Sequence, residues 1–271
     1  MSFSVLMSVY KKENPNYLKE SLESVFQQTM LPEEVILMED GPLTEELYQI
    51  IEIFQKQYPQ LHTHALPQNV QLGRALAQGV CLCNNELVAR MDTDDVAVPN
   101  RFEIQFQYML AHPKITVTGG LMEEFSDDGS THQRKEMPEL QKDILTYAKL
   151  RNPLNHMTVM FRKSEVLKVG NYRHFPYLED YDLWSRLLAQ QAQFYNLQQV
   201  LVRTRVSPQV YSRRGGFSYC KNYLRLRKQQ RESGLLNLGE YLKACIVTIG
   251  ITVISGEFRE KIYKKYLRKR I

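Results

Sequence analysis

The chain has 271 residues, 43% hydrophobic and 24% charged, which suits a water-soluble globular protein able to bury a sizeable core in one large domain or two small ones. Its net charge of +5 sits in one place: residues 257–271 hold seven Lys or Arg against two Glu, leaving 28 of the 35 basic and 28 of the 30 acidic residues to balance elsewhere. Cys81, Cys83, Cys220 and Cys245 have no zinc-finger spacing and imply no disulfide framework, and no basic stretch precedes an apolar signal segment, so a cytoplasmic location is expected.

"FSVLMSVY" (3–10) is an apolar run bounded by "KKENPN", a buried first strand opening into a loop. Over 17–29, Leu18, Leu22, Val25 and Phe26 recur at helical spacing, and Pro32 closes the helix. "EVILMEDG" (34–41) is a second buried strand that stops at an acidic residue and a glycine. A second helix over 44–58, a third strand over 61–66 and a third helix over 72–83 follow. "ELVARMD" (86–92) is a fourth strand running straight into an acidic cluster. Strands alternating with helices of about 10 to 15 residues predict a parallel, doubly wound α/β sheet, in which ligands bind at the carboxyl ends of the strands. Tyr10, Asp40 and Asp92 fall on three such ends.

Beyond Pro99 the alternation fades into a helix over 101–110, a strand near 115–125, a turn at "SDDGS" and a less regular stretch to Pro153. A strand entering a helix is expected over 157–167 and a helix over 181–190. From Leu183 to Arg231 there are ten Lys or Arg and no Asp or Glu; Lys221, Arg225 and Lys228 would share one helix face, which a solvated surface explains equally well.

In "RMDTDDVAVPNR", Asp92, Asp94 and Asp95 crowd the end of a strand, where like charges raise one another's pKa unless a cation or strong donors intervene. Hard oxygen ligands in a D-x-D arrangement suit Mg²⁺ or Mn²⁺, which keep positions free for substrate phosphates. Asp95 also fits a turn or N-cap role, with Pro99 starting the next helix. In "YLEDYDLW" (177–184), Glu179, Asp180 and Asp182 precede a helix whose N-terminus favours carboxylates, so capping accounts for at least one. An Asp beside Tyr181 and Trp184 can also have its basicity adjusted by partial desolvation, as general-base work requires.

Together, "SVLMSVY", "EVILMEDG", "NVQLGRALAQG", "ARMDTDDVAVPNRF", "NHMTVMFRKSE" and "EDYDLW" come in the order and at the spacing of the family 2 glycosyltransferases, inverting nucleotide-sugar-dependent enzymes with a GT-A fold. The chain resembles that family over roughly residues 3–205, and in particular its members in bacterial surface and capsular polysaccharide synthesis. The resemblance implies a Rossmann-like, mostly parallel twisted sheet flanked by helices, with a catalytic domain at 1–205 and a basic, partly amphipathic helical extension at 206–271. It implies that Ser8, Val9 and Tyr10 line the nucleotide base, that Asp40 hydrogen-bonds the base or ribose, and that Asn69, Gly73 and Arg74 run along the nucleotide. Asp94 matches the ligand of a divalent metal, Mg or Mn, and Asp92 reaches the ribose or the metal. Asp180 matches the catalytic base, with Glu179 beside it and Trp184 near the acceptor, and His156 falls where many members place a histidine facing the site. The implied donor is a UDP-sugar and the implied reaction a single displacement, in which Asp180 takes the acceptor proton and the metal neutralises the departing diphosphate. Two departures stand out: Ser8 and Lys11 replace a Pro and an Asn common in the first loop, and "RTRVSPQVYSRRGG" lacks the histidine some relatives add to the metal.

"ACIVTIGITVIS" (244–255) is apolar but twelve residues long, against the roughly 20 a spanning helix needs. In "EFREKIYKKYLRKRI", Phe258, Ile262, Tyr263, Tyr266 and Leu267 recur at helical spacing with the basic residues largely elsewhere. Residues 244–271 are therefore expected to lie on an anionic membrane surface, at the inner face of the cell membrane, where the resemblance puts a saccharide or lipid-linked acceptor. No nucleic-acid motif is present, and no nucleic-acid partner is expected. Two other readings compete: "DTDDV" fits the motif of haloacid-dehalogenase-like phosphatases with Asp92 as nucleophile, and a non-catalytic nucleotide-sugar-binding regulator would use the same pocket.

Overall fold

The computed structural model describes residues 2–126, 129, 131–206, 216–253 and 269–270. β1 (Phe3–Val9), β2 (Glu34–Glu39), β3 (Leu61–Ala65) and β4 (Leu87–Arg90) lie side by side and parallel in the order β3-β2-β1-β4. β1, β2 and β4 are apolar along nearly their whole length because both of their faces are covered. Phe3, Val5, Met7 and Val9 point to one side, against α1 (Pro15–Phe26), α2 (Glu45–Gln57) and α4 (Arg101–Ala111). Leu6 points to the other, against α3 (Leu72–Leu82), α5 (Gln141–Ala148), α6 (Lys163–Lys168) and α7 (Glu179–Ala189). The doubly wound expectation holds for this half.

Past β4 the sheet turns antiparallel: β8 (Met160–Arg162) pairs with β4, β6 (Ile115–Phe125) with β8, and β7 (His132–Lys135) with β6. β9 (Gln193–Arg205) runs parallel to β6 and carries the two-residue β5 (Val96–Ala97) on its other side. The stretch before Pro153 read as irregular thus contains β7 and α5. The strand over 193–205 escapes the sequence because its burial follows no simple alternation.

α8 (Phe217–Glu232) packs on α7 through Phe175, Leu178, Tyr181, Tyr223 and Leu226. Buried Arg227 ties it down: its guanidinium donates to the carbonyl of Leu150 at 2.6 Å, the Tyr181 hydroxyl at 2.8 Å and Gln230 at 2.8 Å. The expected basic stripe is only partly free, since Arg225 lies over the Phe175 ring at 4.9 Å and Lys228 pairs with Glu232 at 3.7 Å. α9 (Leu238–Val253) is inside out: Ala244, Thr248 and Thr252 are buried, while Leu238, Leu242, Ile246 and Ile249 are exposed. No helix among the described residues is long and apolar enough to cross a membrane. Lys269–Arg270 form a short strand, β10, on β7 rather than helix, and the rest of the helix expected over 257–271 lies outside the described residues.

Candidate active site

The carboxyl ends of β1, β2 and β4 open on one side of the sheet, and the register shows why they meet. β1 pairs with β4 through Leu6 and Arg90, so the chain leaves β4 just as β1 runs on to Val9. The Asp40 N–H donates to the Val9 carbonyl at 2.8 Å, tying the ends of β1 and β2 together. The Val9 side chain is wholly within the core, so this residue offers only backbone to a ligand. Ser8 faces the acidic turn through its carbonyl, which accepts from the Thr93 hydroxyl at 3.3 Å, and Tyr10 is 39% exposed at the rim.

Asp40 forms a wall with the segment before α3. Its carboxylate accepts the Val70 N–H at 2.6 Å and the Asn69 side-chain amide at 3.0 Å; burial pushes its pKa up, and the backbone N–H groups of Val70 and Gln71 oppose the rise. Gly41 has φ +86°, and a Cβ there would come 2.6 Å from the Asn69 nitrogen, so the close approach requires glycine. Arg74 projects exposed from the first turn of α3. Gly73 is buried against a different partner: a Cβ on it would collide with the Arg173 carbonyl and lie 3.1 Å from Cβ of Glu179.

The acidic cluster has its own internal counter-charge. Arg90, 2% exposed, forms an ion pair with Asp92, and its Nε and Nη1 have no hydrogen-bond partner among the described residues. Carboxylate oxygens of Asp92, Asp94 and Asp95 lie within 4.8 Å of one another. Asp94 is pushed up to about 7 by burial, by the charge of Asp92 and by Glu13. Glu13 stands close because it accepts the Thr93 hydroxyl at 2.7 Å, and burial raises its pKa as well. Arg90 and the buried Arg101, which also feels Asp95 and Asp92, are two cations against the four carboxylates of Asp92, Asp94, Asp95 and Glu13, and a hard divalent cation on Asp94 and Asp92 fits the surplus and the donor type.

Asp95 does not cap a helix. It is buried, well above its ordinary pKa through burial and the neighbouring Asp94, and its Oδ1 accepts the Arg205 N–H at 3.0 Å. Helix α4 begins at Arg101 instead of Pro99, and Asn100 at its N-cap position makes no side-chain cap bond. The physical reason is the short β5, which carries the chain from the acidic turn onto β9 before the helix can start.

The second acidic pair heads α7. Asp180 accepts from the Asn152 amide at 2.5 Å and from the Tyr181 N–H at 2.7 Å; burial raises its pKa and these donors, with Arg90 and Lys135, lower it. Glu179 is pushed up to about 7, first by burial and then by the charge of Asp180. Asp182 has a structural partner, Arg186, at 2.8 Å. His156 is half-buried with Nε2 2.9 Å from the Tyr172 hydroxyl, and desolvation together with Arg90 drives its pKa well down, so the ring is neutral. Trp184 is fully buried, edge-on to His156 at 6.2 Å and to Phe194 at 6.1 Å. Its ring is therefore not available for direct contact with a ligand. Glu13, Arg90, Asn152 and Tyr172 belong to this site and escaped the sequence reading. Only Arg90 carries a signal there, a charged residue at the end of an apolar strand.

A sheet with carboxylates at the ends of parallel strands, a D-x-D turn after the fourth strand and an acidic pair at the head of a later helix define a GT-A transferase. The chain belongs to glycosyl transferase family 2, whose model matches residues 4–168, and is accordingly a glycosyltransferase. It is 40% identical over 224 residues to the amylovoran biosynthesis glycosyltransferase AmsE of Erwinia amylovora, covering 83% of this chain and 84% of that one. It is 35% identical over 268 residues to the UDP-Gal:alpha-D-GlcNAc-diphosphoundecaprenol beta-1,3-galactosyltransferase of Escherichia coli, covering 98% and 97%. The fold also matches S. aureus TarS 1-349 in complex with UDP-GlcNAc, with a TM-score of 0.67, 16% identity, and coverage of 98% of this chain and 76% of that one. The phosphatase reading of "DTDDV" is set aside by this membership and by the position of Asp92 after β4 instead of β1.

Proposed function

We propose that this chain is an inverting, metal-dependent hexosyltransferase that moves a sugar from a UDP-sugar to a hydroxyl of a lipid-linked saccharide in surface polysaccharide synthesis. The observation that carries the reading is Asp180: a carboxylate with both oxygens oriented, its basicity raised by burial, beside a D-x-D turn that holds surplus negative charge. Each Asp180 oxygen spends one lone pair on Asn152 or Tyr181 and keeps another for the acceptor proton. The acceptor oxygen then bonds to the anomeric carbon as the bond to the nucleoside diphosphate breaks, and the bonding pair leaves with the diphosphate. When bound, a divalent cation on Asp94 and Asp92 supplies neutralisation of that leaving group. Asp40, Asn69 and the backbone at Ser8 to Tyr10 form the surface for the nucleoside, and exposed Arg74 is available to its phosphates.

The acceptor class is supported by the relative whose name specifies a diphosphoundecaprenol-linked sugar and UDP-Gal. Membrane apposition is supported by the exposed apolar face of α9, which precedes the segment carrying the net positive charge. The test is nucleoside diphosphate release from a panel of UDP-sugars with Mn²⁺ or Mg²⁺, with and without short-chain α-GlcNAc-diphosphate lipid. Acceptor-dependent release giving a product of inverted anomeric configuration is expected, and Asp180→Asn should abolish it while leaving UDP binding intact. UDP-sugar binding without release from any donor would favour the regulator reading.

A further inference from the structure

Four tyrosines form a chain of ring contacts leading outward from beside the catalytic carboxylates. Tyr181, fully buried, meets Tyr223 edge-on at 6.1 Å; Tyr223 meets Tyr219 at 5.4 Å; Tyr219 meets Tyr177 at 5.9 Å. The two inner rings are fixed by Arg227, whose guanidinium lies 5.4 Å from Tyr181 and 5.0 Å from Tyr223. The outer end is open: Tyr177 is 60% exposed, and Phe217, at the start of α8, is 87% exposed.

Tyr177 carries a second oddity. Its φ is +69°, a region that bulky L side chains rarely adopt, and it is reached in a turn closed by the Leu178 N–H donating to the Phe175 carbonyl at 2.9 Å. The ring takes no part in the small apolar cluster of Phe175, Leu178, Tyr181 and Leu226, although Phe175 and Leu178 flank it in the chain. Its place along the chain is three residues before Asp180.

We propose that Tyr177, backed by Tyr219, is an acceptor subsite that stacks against the apolar face of a pyranose ring and holds the sugar whose hydroxyl Asp180 deprotonates. This rests on the glycosyltransferase reading above. The chemistry suits a saccharide: a pyranose offers a flat C–H face to an aromatic ring and hydroxyls at its edge to a phenol. The nucleoside side of the site is built from different elements, β1, β2 and the start of α3, so the platform is specific to the acceptor.

The experiment is the transfer assay described above, run with Tyr177→Ala, Tyr177→Gly and Tyr219→Ala and read as separate KM values for acceptor and UDP-sugar. Each variant should raise the acceptor KM by about tenfold, the loss of one aromatic contact, and leave the donor KM unchanged. Tyr177→Gly removes the ring and relieves the backbone, so its thermal midpoint should equal or exceed that of the wild type, separating binding from folding. An unchanged acceptor KM in a wild-type background that transfers sugar would overturn the platform, as would loss confined to vesicle binding. Absence of transfer by the wild type from every donor would instead overturn the enzyme reading on which the platform rests.

Discussion

Asp94→Asn should make the protein more stable and catalytically dead. In the folded chain the Asp94 carboxyl is pushed up to about 7 from an ordinary 3.8, chiefly by burial and then by Asp92 and Glu13. At about 1.4 kcal/mol per tenfold change, ionised Asp94 costs the native state about 4 kcal/mol at pH 8, and local relaxation reduces this to about 1–3 kcal/mol. The sign follows from a carboxyl whose folded pKa is raised. Its burden is absent below pH about 4, grows as pH climbs through the window between the two values, and is complete above about 7. Urea melts in EDTA at pH 4 and pH 8 read this directly: the two proteins should differ little at pH 4, and the Asn variant should be the more stable at pH 8. Adding Mn²⁺ and UDP should reverse the order, since binding to the native state stabilises only a protein that can hold the ion. An Asn variant less stable than wild type at pH 8 in EDTA would mean that donors in the fold already satisfy Asp94, and the argument for surplus charge would fail.

Arg90→Met should cost about 3 kcal/mol in urea melts, because it leaves Asp92 beside its acidic neighbours without the buried cation that pairs with it. The pH profile of transfer should have an acid limb near 7, where Glu179 titrates beside Asp180, with activity rising as the pair loses its proton. Glu179→Gln should remove the limb near 7 and leave only the ionisation of Asp180, which burial raises from its ordinary range. The double variant Leu242→Glu, Ile246→Glu should lower binding to phosphatidylglycerol vesicles in sedimentation, with the thermal midpoint unchanged because both side chains are exposed.

The parallel half of the fold, β1 to β4, is legible because local rules decide it. Apolar runs such as "FSVLMSV" can be little except strands covered on both faces, and the spacing from Leu18 marks α1, although its cap at Asn14 and Pro15 lies in the stretch read as loop. The other half is settled by contacts remote in sequence. Asp95 reads as a cap and proves to be a tie to Arg205, 110 residues away, which no local pattern announces. Trp184, which the family resemblance puts near the acceptor, is fully buried with its edge toward His156. Arg90 is hidden by its setting, since an arginine ending an apolar strand resembles a boundary until Asp92 and the absence of solvent are seen together.

The packing of Gly73 against Arg173 and Glu179 sets a rule for recombining such enzymes. The residues proposed to present the nucleotide lie early in the chain and the carboxylates proposed to serve the acceptor lie late, which invites exchange of halves between relatives to trade one specificity at a time. A graft that brings a bulkier residue to position 73, or a differently shaped loop at 173, would pry the two halves of the pocket apart even if every catalytic group were retained. Parents for such chimeras are best sorted by this contact before overall identity, because it sets how closely the start of α3 approaches the head of α7.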